Sequence, residues 1–115
     1  MKRIEAIIRK TKFDEVKEAL LNSAIDWFES HDVHGIGQSR QERIYRGVVY
    51  NTDMIERVAI TIVCRDVIVE NTINVLLKTA NTGQIGDGRI ILSDVIDCWS
   101  IRTGEHGDTG LKDKK

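Results

Sequence analysis

Charge of one sign is what this sequence lacks: 17 lysines and arginines stand against 18 aspartates and glutamates, a formal net charge of −1. A chain so balanced exerts no long-range pull on nucleic acid or on an anionic membrane, so any anion site must be local. Cysteine is scarce as well. Cys64 and Cys98 stand alone with no C-x-x-C spacing, which suits a reduced, intracellular protein. No apolar stretch approaches the ~20 residues that span a bilayer. The apolar run at the N-terminus is short and interrupted by charge, unlike a secretory signal. These absences lead to the expectation of a cytoplasmic protein with no nucleic-acid partner, reaching a membrane only through another protein.

What is present fits one folded domain. At 115 residues, with 41% hydrophobic and 30% charged positions, the chain can bury a real core without staples, and a second domain is not expected. From Arg3 to Arg9, RIEAIIR places Ile4, Ala6 and Ile8 on one face, the period-two pattern of a half-buried strand. Thr11 precedes Asp14 by three residues, a variant of the capping box, and Phe13, Val16 and Leu20 follow at helical spacing, predicting a helix from about Lys12 to Asn22. The stretch IDWFESHDVHGIG reads as a second strand ending near Gly35 and Gly37. RVAITIVC alternates Val58, Ile60, Ile62 and Cys64 against Ala59, Thr61 and Val63, a strand for the centre of the sheet. Asp66 is a good N-cap for a helix carrying Val69, Ile73, Leu76, Leu77 and Ala80, which Gly83 stops, and RIILSDVI reads as a further strand.

Two strand–helix–strand halves suggest an α+β, ferredoxin-like split βαβ sandwich, an antiparallel sheet with two helices on one face. Alternating apolar residues on several strands leave the other face too greasy to stay wet, so self-association is expected. Between Gly37 and Arg57 runs QSRQERIYRGVVYNTDMIE. A connection that long is usually functional or disordered. TGQIGDGR, Thr82 to Arg89, concentrates three glycines and an arginine after the second helix. Its spacing matches neither G-x-G-x-x-G nor G-x-x-x-x-G-K-[ST]. The residues alone leave two readings, a helix-to-strand turn or an anion-binding loop.

IEAIIR at the start, GIG before the long loop, YRGVVY inside it, TGQIGDGR and IRTGE near the end, in that order, closely resemble the PII signal-transduction proteins of nitrogen metabolism. The resemblance runs from about Met1 to Glu105. It implies a non-enzymatic regulator, a single domain over 1–115 assembled as a homotrimer, with ATP or ADP in clefts between subunits. Residues 82–89 would form the nucleotide-binding loop and about 38–56 a mobile T-loop that docks on targets, with a flexible tail over about 106–115. By resemblance, Ile7, Gly35, Gly37, Gln38, Gly86, Asp87, Gly88, Arg89 and Arg102 bind nucleotide, Arg102 from across the subunit boundary. Gln38 would also contact Mg²⁺ and 2-oxoglutarate, with Arg57 in place of the family's usual lysine on that ligand's carboxylate. Tyr50 matches a tyrosine that many relatives have modified by a nucleotidylyltransferase. Tyr45, Arg46 and Gly47 match a segment with which some members plug an ammonium transporter; glutamine synthetase and other nitrogen-assimilation enzymes are further targets of this kind.

Several positions depart from that pattern. The first T-loop segment is one residue short, Glu29 replaces a small hydroxyl residue near the adenine, and Thr61 replaces a glutamate in the same wall. Ser100 and Gln84 stand where an arginine and a lysine are common. Other chemistry is weaker on these residues. His31 and His34 are three apart on a strand, so they point to opposite faces and suit a surface better than a metal. Asp26, Glu29 and Asp32 align with no nucleophile and read as solvated edge charges. Slow ATP hydrolysis in the same cleft, a sensor of adenine nucleotides alone, and a trimer binding a metal or another small ligand are the alternatives, the last opposed by the loop motif.

Overall fold

A computed structural model describes residues 1–36, 42–45, 48–51 and 54–111. In chain order the elements are β1 (Lys2–Arg9), a 3-10 turn (Lys10–Lys12), α1 (Phe13–Leu21), β2 (Glu29–Ile36), β3 (Glu42–Tyr45), β4 (Val48–Asn51), β5 (Met54–Cys64), α2 (Asp66–Ala80), β6 (Gly88–Asp94) and a closing 3-10 helix (Gly107–Leu111). Strands β2, β5, β1 and β6 lie side by side in that order, every neighbour antiparallel. This is the ferredoxin-like α+β arrangement, and β5 does lie inside the sheet.

The alternation in β1 and β5 explains the core. Ile4, Ala6 and Ile8 meet Val58, Ile60, Ile62 and Cys64 on the face that α1 covers with Val16 and Leu20 and α2 with Leu76. Removing that apolar surface from water is the main force holding the helices on the sheet. Thr72, which no apolar pattern selects, is also buried, and it satisfies its hydroxyl by donating to the Ile68 carbonyl at 2.8 Å. Leu77 was expected in this core but is 56% exposed, because α2 turns it toward the open side beside β6.

Three local expectations change. Thr11 lies in the 3-10 turn, so α1 starts at Phe13 with Lys12 as an N-cap that makes no side-chain bond. Asp66 is the first residue of α2, Arg65 taking the cap position, and its carboxylate accepts from the Met1 amine at 2.6 Å. That hydrogen bond lowers the Asp66 pKa from its ordinary value. α2 ends at Ala80 with an extended Asn81, and Gly83, at φ 80, turns the chain two residues later.

Part of the long connection is itself strand. β3 and β4 pair antiparallel, Tyr45 opposite Val48 and Arg43 opposite Tyr50, and β5 begins as early as Met54. Their β-branched and aromatic content accounts for it. Gly37, Gln38, Arg46 and Gly47 lie outside the described residues. Beyond Glu105, where a loose tail was expected, residues 106–111 are tied down. Asp97 accepts from the Gly107 amide at 3.0 Å and contacts His106 Nδ1 at 3.0 Å, while the His106 ring stacks on Trp99 at 5.4 Å. A Cβ on Gly110 would sit 2.4 Å from the Cys98 carbonyl, so this turn closes only around a glycine.

Candidate functional site

The loop from Thr82 to Arg89 is organised by one carboxylate. Asp87 accepts from the Thr82 amide at 2.8 Å, the Gly83 amide at 3.0 Å, the Thr82 hydroxyl and Arg9 Nε at 2.9 Å. Arg9 also donates to the Ile85 carbonyl at 3.0 Å, fastening the loop to the end of β1. The Thr82 hydroxyl and then the Arg9 guanidinium hold the Asp87 carboxyl far below the usual carboxylate range. An acid so fully committed to its own loop is a brace and a poor proton acceptor.

The loop then re-enters the sheet at its tightest point. Gly88 pairs with Ile8 and Arg89 with Ile7. At Gly88, with φ 105, a Cβ would lie 1.8 Å from the Ile7 carbonyl oxygen, so only glycine fits between β6 and β1. Ile7, Leu77, Asp87, Gly88, Arg89 and Leu92 border a cavity of about 540 Å³ there. A glycine-rich backbone braced beneath an exposed arginine is suited to an anion such as a phosphate.

Arg57 sits beside this loop. It lies opposite Arg9 on one side and Val33 on the other, is only 9% exposed, and its Nη1 has no partner among the described residues. Burial first, and then the Arg9 guanidinium, lower its pKa from the ordinary arginine value. A buried cation with an unmatched donor is an energetic cost that an anion would remove.

A second cavity, of about 820 Å³, lies at the other end of the sheet, bordered by Trp27, Glu29, Thr61, Val63, Ser100 and Leu111. Six positions of β5 separate Arg57 from Val63, roughly 20 Å of strand. The structure therefore gathers Ile7, Asp87, Gly88, Arg89 and Arg57 at one end, with Gly35 on β2 opposite Ile55. It leaves exposed Arg102, in the turn just past Ser100, on the segment that borders the other cavity. Thr82 belongs to the loop expected over 82–89, but Arg9, which fixes that loop from β1, carries no such signal in the sequence. Arg9 reads as a solvent-facing strand charge until the register sets it across from Arg57. His31 and His34 are exposed, and no group of three or more metal-ligating side chains occurs among the described residues.

Residues 1–105 match the family described as nitrogen regulatory protein P-II. The chain belongs to the P-II family. It is 40% identical over 112 residues to nitrogen regulatory protein P-II of Klebsiella oxytoca, covering 96% of this chain and 100% of that one. The same identity and coverage relate it to nitrogen regulatory protein P-II 1 of Escherichia coli K12. The P-II protein of Bradyrhizobium diazoefficiens is 42% identical over 108 residues, 93% of this chain and 96% of its own. Membership identifies a nitrogen-regulatory protein that acts on target proteins. No helix among the described residues is long and apolar enough to cross a membrane.

Proposed function

We propose that this P-II protein is a non-enzymatic cytoplasmic sensor whose loop at 82–89 takes the phosphates of ATP or ADP, and whose ligand state sets which targets it engages. The observation that carries the proposal is the Asp87-braced loop pressed against Ile7, with Arg89 exposed above it and, beside it, Arg57, whose Nη1 has no partner among the described residues. Arg57 then holds the carboxylate of 2-oxoglutarate. Mg²⁺, when bound, would be held by Gln38 and the nucleotide phosphates, and it supplies a centre for the keto acid to complete.

One chain carries the two cavities at opposite ends of its sheet, so a nucleotide touching both Arg89 and Arg102 must bridge two copies. Ile91, Leu92, Trp99 and the fully exposed Ile96 and Ile101 give the copies an apolar surface to bury. The assembly is a homotrimer. Binding shifts the T-loop between arrangements by no more than the ligand's differential affinity for them. The proposed outputs are docking of Tyr45, Arg46 and Gly47 in an ammonium transporter, control of glutamine synthetase or a related enzyme, and nucleotidylylation at Tyr50. Light scattering at micromolar concentration tests the assembly, and a stable monomer would contradict it. Transport assays with Arg46→Ala, which should bind nucleotide yet lose inhibition, test the output.

A further inference from the structure

We propose that the second cavity is a purine-base pocket that admits guanine, so that guanine nucleotides compete with adenine nucleotides for the cleft; this rests on the nucleotide reading above. The pocket has room for a base and one face to stack it on. Trp27, 74% exposed, lines it together with the apolar side chains of Ile25, Val63 and Ile68. Glu29 and Thr61 are direct cross-strand partners on β2 and β5, so their side chains leave the same face of the sheet, with Cβ atoms roughly 5 Å apart.

Their chemistry selects the base. An ionised carboxylate only accepts, and it can take two parallel donors at once. Guanine presents such a pair on its Watson–Crick edge, N1–H and the N2 amine, beside the O6 acceptor that the Thr61 hydroxyl can meet. Adenine presents one donor there, its N6 amine, next to the N1 lone pair that repels the second carboxylate oxygen. Glu5, the other partner of Thr61, is engaged by Arg3 at 2.8 Å, whereas Glu29 has no hydrogen bond or ion pair among the described residues. Asp26 also borders the pocket and Arg65 only offsets one of the two carboxylates.

The test is isothermal titration of the intact protein with GTP, ATP and ITP, and of Glu29→Gln with the same three. The parent should bind GTP at least as tightly as ATP, with ITP weaker because it lacks the N2 amine. Glu29→Gln, whose amide offers one acceptor and one donor, should bind GTP about tenfold more weakly, the scale of one charge-assisted bond, while keeping or improving its affinity for ATP. Glu29 is exposed, so the variant should fold. ATP binding with GTP more than about tenfold weaker in the parent, or an unchanged GTP to ATP ratio in Glu29→Gln, overturns the base assignment alone. Binding of no nucleotide at all overturns the cleft reading, and the base assignment with it.

Discussion

Replacing Gly88 and Gly83 separately by alanine isolates the close approach on which the loop's position depends. Both glycines have positive φ, 105 and 80, so both substitutions carry a conformational cost of about 1–2 kcal/mol. They differ in space. No atom of the described residues lies within 4 Å of a Cβ on Gly83, whereas on Gly88 it would lie 1.8 Å from the Ile7 carbonyl oxygen, a backbone atom that cannot swing aside. Gly88→Ala must therefore open the β1–β6 pairing around Ile7 and Ile8 and forfeit ladder hydrogen bonds worth about 0.5–1.5 kcal/mol each. The expected losses are about 1 kcal/mol for Gly83→Ala and about 3 kcal/mol or more for Gly88→Ala. Urea denaturation at one fixed protein concentration measures both, since assembly makes apparent stability concentration-dependent. Equal losses, or a Gly88→Ala midpoint close to the parent's, would refute the assignment of that contact.

Arg57→Met should leave the ligand-free protein as stable as the parent, or more stable by up to about 1 kcal/mol, because it removes a buried donor, Nη1, that has no partner among the described residues; urea midpoints check this, and 2-oxoglutarate affinity should fall in the same variant. Arg89→Ala and Arg102→Ala should each weaken ATP binding at least tenfold, about 1.4 kcal/mol, by titration calorimetry; unchanged affinity in both would make the loop a mere turn. Asp87 is more acidic folded than unfolded, so its contribution is present above the unfolded carboxylate value of about 3.9 and is lost as pH falls through the folded value. Asp87→Asn should accordingly be less stable than the parent at pH 6, with the gap closing below about pH 4; Asp66 and Asp97, lowered in the same direction, keep part of the acid dependence in both proteins.

The period-two pattern in β1 and β5 made the sheet and its buried face readable, because alternation reports burial directly. Register was beyond that pattern. Nothing in RIEAIIR says that Arg9 will lie across from Arg57 and reach Asp87, since those neighbours are fixed by strand order. Helical spacing selected Leu77 and passed over Thr72, which is buried because its hydroxyl finds a carbonyl one turn back. The glycines of TGQIGDGR were visible from composition, but the demand on Gly88 comes from the Ile7 carbonyl, a contact made only when β6 packs on β1. Likewise, Asp97 and His106 lie nine residues apart, and only the closed C-terminal turn brings them together.

Calorimetric titration of 2-oxoglutarate into the protein, first alone and then with saturating Mg-ATP, tests the central claim most directly. No heat is expected in the absence of nucleotide, saturable binding in its presence, and loss of that binding in Arg57→Met with Mg-ATP still bound. Tight 2-oxoglutarate binding to the nucleotide-free protein, or no binding of Mg-ATP at any concentration, would contradict it.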